Sequence, residues 1–354
     1  MTLIEETAAP PPQLDQDPRE ATTAALILPR SYSSSYTADD KHCTADLLRW
    51  LHTNNKTQAW LSRLARVNAG TLNQVLKGSY PSSPSKFLEQ LLAATRLQAE
   101  RRGKRDVPFV QTSVAKLARA VCHRARLYRN FGVLSGYVGT GKTAALKQIA
   151  AATPNTYLIE ADPDMTPGTL LSALVTVTRA EVPTRSKYSE GTTAQKFTAV
   201  VKALSGTGGL IIVDEAETMQ PRALHYLRRI RDKAEVGVVL AGTEYLTGLI
   251  RPEHGQFDQI RSRVGMWPAT VTGISRDDAD EIVLATFDDA PPDADVLDAM
   301  WSYCDGSVRV LAEDLIPALR DYGTAKGTPL SPTLVQQIAT QVLGLQARKP
   351  GVRA

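Results

Sequence analysis

The chain has 354 residues, of which 43% are hydrophobic and 22% charged, and its formal net charge is +4 at pH 7. This composition is typical of a soluble globular protein with roughly two or three domains, and no apolar run is long enough to span a membrane. Three scattered cysteines without a C-x-x-C pair argue against a disulfide framework or a zinc site and fit a reducing compartment. The N-terminus also lacks the basic and then apolar pattern of a signal peptide, so we expect a cytoplasmic protein.

Positive charge is concentrated in one part of the chain. Residues 45–130 hold 16 Lys and Arg against 4 Asp and Glu, so this segment carries +12 and the remainder −8. A basic segment beside a mildly acidic body indicates a polyanionic partner, most simply nucleic acid. A solvated basic surface on an ordinary domain would give the same count, so charge alone does not decide between the two.

The first third of the chain contains a predicted tail and a predicted helical domain. Residues 1–44 lack apolar periodicity and include proline and serine runs, so we expect a disordered tail. Residues 45–105 are expected to form a small helical domain. Two of its helices are short: Thr57–Ala65, which begins at a Thr suited to capping, and Thr71–Lys77, which is closed by Gly78.

These two short helices predict a helix-turn-helix, with Gln58 near the start of the first helix as in phage repressors. In that arrangement the second helix enters the major groove of DNA. The side chains that would then face bases or phosphates are Thr71, Asn73, Gln74 and Lys77. A helical bundle used for protein contact is the alternative, and the local positive charge favours DNA.

A glycine-rich loop between a predicted strand and a predicted helix carries the most specific motif in the chain. The segment Phe131–Thr143 contains G-x-x-x-x-G-K-[ST], the pattern of a phosphate-binding loop. Glycines let backbone N–H groups approach phosphate oxygens, and the N-terminus of the following helix adds a partial positive charge. The predicted nucleotide-binding residues of this loop are Gly136, Gly139, Thr140, Gly141, Lys142 and Thr143.

Two further strand ends complete a predicted site for ATP and Mg²⁺. In the loop, Lys142 is expected to reach the β- and γ-phosphates and the Thr143 hydroxyl to ligate Mg²⁺. A buried strand downstream ends in Asp214-Glu215, the Walker B pattern. Asp214 is predicted to join the magnesium shell, and Glu215 to orient and deprotonate the attacking water. Another buried strand ends at Thr243, which is predicted to lie beside the γ-phosphate and to sense the nucleotide.

The alternation of strands and helices from residue 131 to about 270 predicts a parallel sheet with helices on both faces. We therefore assign residues 106–274 to a nucleotide-binding core. From Ser275, a near capping box opens a wholly helical region, so residues 275–346 are predicted to form a helical lid, with a basic tail at 347–354. The predicted fold class is α/β: a phosphate-loop core, a helical lid and a small all-α N-terminal domain.

Taken together, these motifs resemble those of the AAA+ ATPases. The repressor-like segment in front of them makes the chain similar to the AAA+ target-selector ATPases of DNA transposition, the Mu B family, from about Lys56 to Leu345. The resemblance implies a protein that binds ATP, assembles as a homo-oligomeric filament on double-stranded DNA and recruits and activates a transposase. It also implies that ATP hydrolysis leads to disassembly.

The resemblance further implies roles for three arginines, because the nucleotide in such assemblies lies between subunits. Arg263 would be the arginine finger supplied to a neighbour's γ-phosphate, with Arg261 as the second candidate. Arg309 would read the phosphates from the lid of the same subunit. The alternative for Arg261 and Arg263 is that both are ordinary surface arginines at the end of a helix.

Filament contact with DNA would be independent of sequence and would need exposed cations. The candidates are Lys147, Arg179, Arg185 and Lys187, and such binding should weaken steeply with added salt. No membrane partner is expected. Two other functions remain open: an AAA+ ATPase of the replication-initiator or helicase-loader kind, and a helix-turn-helix transcriptional regulator switched by ATP.

Overall fold

The computed structural model describes residues 28–103, 107–163, 165–183, 191–251, 257–288, 290–323 and 327–347. The chain divides into two compact units, Met1–Asp106 and Val107–Ala354. The division falls within one residue of the predicted end of the helical domain at 105. Within the described ranges, no helix combines the length and the apolar character needed to cross a bilayer.

Four helices form the described part of the first unit, residues 28–103. They are α1 (Ala38–Thr53), α2 (Gln58–Ala65), α3 (Ala69–Leu76) and α4 (Ser85–Gly103). The core of the unit is mainly leucine, with Leu47, Leu61, Leu72 and Leu91 each at most 1% exposed. Leucines at helical spacing place one apolar stripe on each helix, and the four stripes meet in this core.

The predicted disordered tail was wrong for its last residues. Helix α1 begins at Ala38, with Thr37 and Asp40 forming a reciprocal capping box. Ahead of it Tyr36 is buried, and its hydroxyl donates a 3.0 Å hydrogen bond to the carbonyl oxygen of Val75. The first half of α1 is polar, which hid its periodicity in the sequence. Residues 1–27, the rest of the predicted tail, lie outside the described residues.

Helices α2 and α3 are joined by three residues. The predicted cap is confirmed, because the Thr57 hydroxyl accepts a hydrogen bond from the amide of Trp60. Helix α3 begins two residues earlier than predicted, since the Asn68 side chain caps it by accepting from the amide of Gly70 at 2.8 Å. Arg66 turns the chain with a positive φ of 52°. The pair of helices is thus present, and its use in reading DNA remains a prediction.

The second unit is built on a five-stranded parallel sheet in the order β2-β3-β4-β1-β5. Its strands are β1 (Phe131–Ser135), β2 (Thr156–Glu160), β3 (Leu210–Asp214), β4 (Gly237–Gly242) and β5 (Val264–Met266). Strands β1, β3 and β4 are buried throughout and read as unbroken apolar runs, as expected of a sheet covered on both faces.

Helices cover both faces of this sheet. Helices α5 (Ser113–Leu127) and α6 (Lys142–Ala152) pack on one face, against Leu210 and Ile212 of β3. The opposite face, with Ile211 and Val213, packs against three helices: α7 (Pro167–Thr178), α8 (Thr193–Leu204) and α9 (Pro221–Ala234). Two short helices, α10 (Tyr245–Ile250) and α11 (Asp258–Arg261), lie between β4 and β5 in the chain. The predicted parallel sheet between helices is confirmed.

The predicted helical lid follows the sheet and is also observed. Its α-helices are α12 (Arg276–Thr286), α13 (Ala294–Cys304), α14 (Ile316–Tyr322) and α15 (Pro332–Gln337). The segments Val310–Leu315 and Ile338–Val342 are π-helical rather than α-helical. The predicted capping box at Ser275 is confirmed. Asp278 of this box also accepts hydrogen bonds from the backbone and hydroxyl of Ser113, which ties the lid to α5.

Candidate active site

The glycine-rich loop connects the end of β1 to the start of α6. Gly139 and Gly141 have positive φ values of 81° and 88°, a conformation that other residues adopt only with strain. A Cβ atom at Gly139 would lie 2.8 Å from Oγ of Ser307 in the lid, so the loop and lid also need glycine for their close approach. The loop borders a cleft of about 510 Å³ at the carboxyl ends of the strands.

All the predicted loop residues but Gly136 line this cleft, and Gly136 is buried. The residues that line the cleft also include Asp214, Glu215, Thr243 and Arg309. Residues from four separate parts of the chain therefore meet at one place, because parallel strands end at the same edge of the sheet. The sequence predicted this grouping.

Lys142 is buried and is held by the loop itself. Its Nζ donates to the carbonyl oxygens of Gly136 and Tyr137 at 2.7 and 2.8 Å and to the Thr140 hydroxyl at 3.3 Å. Burial lowers the pKa of Lys142, while nearby carboxylates, with Asp214 first, act in the opposite direction. A buried ammonium group with three replaceable oxygen partners is suited to exchanging them for phosphate oxygens.

Thr143 and Asp214 form the predicted metal-binding pair. The Thr143 hydroxyl donates to Oδ2 of Asp214 at 2.6 Å, and Oδ1 of Asp214 accepts from the amide of Glu215 at 3.1 Å. Hydroxyl and carboxylate oxygens are the hard ligands that Mg²⁺ prefers, usually one or two from the protein together with phosphate oxygens and water. Over the described ranges, no cluster of three or more His, Cys, Asp or Glu side chains could hold a metal ion alone. The donor set thus fits Mg²⁺ bound together with a nucleotide.

Glu215 begins the turn that follows β3, with a positive φ of 55°. Its side chain is exposed at the cleft. Partial burial raises the pKa of Glu215, and the carboxylates of Glu160, Asp214 and Glu217 raise it further. A carboxylate with a raised pKa is a stronger base, which suits the predicted role in deprotonating water.

Thr243 is the first residue after β4, and its surroundings include a side chain that sequence reasoning missed. Its backbone N–H donates to Oε1 of Glu217 at 3.0 Å. Its hydroxyl oxygen is buried and has no hydrogen-bond partner within the described part of the chain. Glu217 lines the cleft as well. The acidic run that starts at Asp214 could have indicated that Glu217 lies near the cleft. It could not have indicated that Glu217 contacts Thr243 at the end of β4.

Arg309 belongs to the lid and contacts the phosphate loop. Its backbone N–H donates to the carbonyl oxygen of Gly139 at 3.1 Å, and the neighbouring Val308 packs beside Gly141. The side chain of Arg309 is 56% exposed and forms a 3.6 Å ion pair with Glu313. The guanidinium group therefore lies at the cleft with only a weak partner, where a phosphate could compete for it.

The two candidate finger arginines do not line the cleft of their own chain. Nε of Arg263 lies 3.1 Å from Oδ1 of Asp232, and the guanidinium also donates to the carbonyl oxygen of Gln259 at 2.6 Å. Arg261 is more exposed and pairs only one turn away, with Asp258. Their role as arginine fingers remains a prediction.

The predicted DNA-contacting residues fall into three groups. On α3 and its C-cap, Gln74 and Lys77 are exposed, and two others are half-buried, Thr71 and Asn73. In the second unit, Lys147 is exposed on α6 and lines the cleft, and Arg179 caps α7. Arg185 and Lys187 lie outside the described residues.

Known proteins resemble this chain in both sequence and fold. A family model described as an AAA domain matches residues 124–250. The Mu-like prophage FluMu DNA transposition protein B of Haemophilus influenzae is 28% identical over 224 residues, which is 62% of this chain and 76% of that protein. The ATP-dependent target DNA activator B of Escherichia phage Mu is 27% identical over 134 residues, or 38% of this chain and 41% of that protein.

The chain is thus similar to these B proteins, and its residues 124–250 match an AAA domain. Two solved structures share its fold. The ORC2 protein of Aeropyrum pernix in its ADP form has a TM-score of 0.50 at 18% identity, covering 64% of this chain and 67% of that chain. CDC6P from Pyrobaculum aerophilum has a TM-score of 0.50 at 14% identity, covering 67% and 69%. At such identities the likeness concerns the fold alone, and it confirms the predicted AAA+ fold.

Proposed function

We propose that this Mu B-like protein is an ATP-dependent, DNA-binding regulator of transposition. In this proposal it hydrolyses ATP, assembles on target DNA, recruits and activates a transposase, and leaves the DNA after hydrolysis. The observation that carries the proposal is the cleft itself: the phosphate loop, Asp214, Glu215 and Arg309 meet there in a chain similar to transposition B proteins. The name of one relative refers to DNA transposition, and that of the other to ATP-dependent activation of target DNA, which supports this proposal.

The chemistry follows from the side chains of the cleft. The loop amides and the Lys142 ammonium group would bind the β- and γ-phosphates of ATP. Thr143 and Asp214 would hold Mg²⁺, which supplies neutralising charge for the phosphate oxygens. Glu215 would accept a proton from a water molecule as its oxygen attacks the γ-phosphorus, and the bond to the β-phosphate oxygen breaks to release ADP.

Hydrolysis would need a second subunit. Arg263 or Arg261 would supply positive charge to a neighbour's γ-phosphate, which in related phosphoryl transfer is worth about 10³–10⁵ in rate. Neither residue lines the cleft of its own chain, which supports this arrangement. Arg263 would have to leave Asp232, whereas Arg261 would have to leave only an exposed ion pair with Asp258. We therefore rank Arg261 equal to Arg263 as the finger.

Contact with DNA would come from exposed cations and be independent of sequence. The cations proposed are Lys147 and Arg179 in the second unit and Lys77 in the first, where the neutral Gln74 could add a hydrogen bond. Each phosphate neutralised by Lys or Arg releases condensed counterions, so the affinity should fall steeply with salt. An affinity for random duplex DNA that did not change between low and high salt would contradict this.

Electron microscopy provides the direct test. Full-length protein would be mixed with random-sequence duplex DNA, Mg²⁺ and either ATP or ADP. We expect coated duplexes with ATP and bare duplexes with ADP, and Glu215→Gln should keep the duplexes coated after the unchanged protein has hydrolysed its ATP and left. Binding of one defined operator by a small oligomer would favour a transcriptional regulator instead. Activation of a helicase would favour a loader.

A further inference from the structure

Glu217 is a charged side chain of the cleft that no motif assigned. It lies in the short 3₁₀ turn Ala216–Thr218, directly after Glu215 has reversed the chain with its positive φ. Its Oε1 accepts the backbone N–H of Thr243 at 3.0 Å. Its Oε2 is buried and has no hydrogen-bond partner in the described part of the molecule. A buried carboxylate oxygen without a partner is costly and calls for a functional explanation.

The backbone of β4 is shaped to admit this carboxylate. Gly242 is the last residue of the strand, and a Cβ atom there would overlap Oε2 of Glu217. The carbonyl oxygen of Gly242 also accepts the N–H of Gly136, the first glycine of the phosphate loop, at 3.1 Å. Glu217 is therefore joined through Thr243 and Gly242 to the loop that would hold the phosphates.

The residue that Glu217 fixes has an unsatisfied group of its own. The Thr243 hydroxyl oxygen is buried and without a hydrogen-bond partner across the described residues. Both Thr243 and Glu217 line the cleft that contains Lys142. A hydroxyl held rigidly in such a place can offer its hydrogen bond to a phosphate oxygen or to a water molecule with no loss of its own partners.

Glu215 and Glu217 are placed for different tasks. Glu215 is exposed at the cleft, and no hydrogen bond to its carboxylate occurs in the described ranges, so that carboxylate is free to meet a water molecule. In contrast, Oε1 of Glu217 already accepts a hydrogen bond from the backbone N–H of Thr243, which follows β4. The carboxylate of Glu217 also ranks second, after Asp214, among the charges that act on Lys142.

We propose that Glu217 is a positioning residue for ATP hydrolysis: it anchors the backbone of Thr243 at the end of β4, and this orients the Thr243 hydroxyl toward the reacting phosphate. Glu217 acts through Thr243 and does not itself take the proton. The proposal rests on the proposed function, because it assigns a further residue to the same reaction. It predicts that the essential feature of Glu217 is an acceptor oxygen at the Oε1 position rather than its charge.

Steady-state ATP hydrolysis by the full chain, with Mg²⁺ and duplex DNA, tests this. Glu217→Ala should lower kcat about tenfold to a hundredfold, as expected when a reacting group is misplaced by a fraction of an ångström to 1 Å, with KM for ATP within about threefold. Glu217→Gln keeps an acceptor oxygen, so kcat should stay within about threefold of the unchanged protein. Gly242→Ala keeps the carboxylates of Glu215 and Glu217, but the added Cβ displaces Glu217. Its kcat should therefore fall as in Glu217→Ala.

Gly248→Ala is the matched control, because Gly248 is exposed in α10 and an added Cβ would have nothing within 4 Å. Its kcat should be unchanged. Hydrogen exchange at the Thr243 amide gives a second measure: it should be faster in Glu217→Ala and unchanged in Glu217→Gln. A general loss of stability would speed exchange at many amides. It would not produce a difference between Glu217→Ala and Glu217→Gln at the Thr243 amide alone.

Two results would overturn the positioning role. One is a kcat for Glu217→Ala within twofold of the unchanged protein. The other is an equal loss in Glu217→Gln and Glu217→Ala, since that would make the charge the essential feature. Failure of the proposed function looks different: the unchanged chain would then hydrolyse no ATP with DNA present, and the role of Glu217 would be rejected together with it.

Discussion

The cleft and the N-terminal helical unit achieve order in different ways. In the cleft, glycines with positive φ such as Gly139 bring backbone atoms and charged side chains close together. In the helical unit, fully buried leucines such as Leu72 hold four helices that carry polar side chains on their surface. The difference suggests that changes in the cleft should alter chemistry more than folding, whereas changes in the leucine core should alter folding more than chemistry.

The largest effect is expected for Lys142→Ala, which tests the first half of that comparison. The variant removes a buried ammonium group from a site built for phosphate, and such truncations cost about 2–5 kcal/mol of binding free energy. ATP affinity should therefore fall by roughly thirtyfold or more, as measured by titration with a fluorescent ATP analogue. ATP-dependent coating of DNA should be lost with it. If Lys142→Ala coated DNA normally, nucleotide would not be the switch for assembly.

Leu72→Ala tests the second half. Leu72 is 1% exposed, and truncating such a leucine usually costs about 2–5 kcal/mol of unfolding free energy. Hydrogen exchange over residues 38–103 should become much faster, while exchange in the second unit and ATP turnover without DNA stay unchanged. Glu89→Ala, at an exposed position in the same unit, is the control and should cost less than about 0.5 kcal/mol. A parallel loss of ATP turnover in Leu72→Ala would mean that the comparison fails.

Gly139→Ala sharpens the comparison by separating backbone strain from the contact with the lid. Gly206 has a similar φ of 76°, but an added Cβ there meets nothing within 4 Å, whereas at Gly139 it meets Ser307. Both changes to alanine should cost about 1–2 kcal/mol of unfolding free energy through strain. Only Gly139→Ala should also weaken ATP binding, by about tenfold. Equal ATP affinities in the two variants would show that the loop and lid do not need this close approach.

The smallest effect is expected for Asp278, whose charge contributes to the stability of the second unit. Burial by itself raises the pKa of this carboxyl group, but hydrogen bonds from Ser113 and Ser275 outweigh burial and lower it. Because the folded pKa is below the unfolded one, this stabilisation is present above the ordinary pKa of about 3.9 and is lost as pH falls through the lowered value. Asp278→Asn should cost about 1 kcal/mol of unfolding free energy at pH 7.

The pH dependence provides the check on Asp278. In chemical unfolding experiments, the difference between Asp278→Asn and the unchanged protein should shrink as pH falls below about 4. Asp277→Asn changes the exposed neighbour and should match the unchanged protein within about 0.5 kcal/mol at all pH values. A pH-independent difference for Asp278→Asn would show that shape, not charge, ties the lid to α5.

The sequence by itself determined the features that depend on consecutive residues. The phosphate loop, the strand that ends in Asp214-Glu215 and the caps at Thr57 and Ser275 are local patterns, because backbone conformation and capping act over a few residues. Parallel strands then bring Thr243 to the same edge, so most of the cleft could be predicted. The start of α1 could not, because its first half is polar and is held by contacts with a distant helix.

Only the tertiary structure decided which side chains meet across the fold. Glu217 and Thr243 are 26 residues apart, and Ser113 and Asp278 are 165 apart. Arg263 lies in a finger-like sequence, but its partner Asp232 is 31 residues away in the chain. Contacts of this kind follow from the packing of elements whose order in space is not their order in the chain, and no local pattern records them.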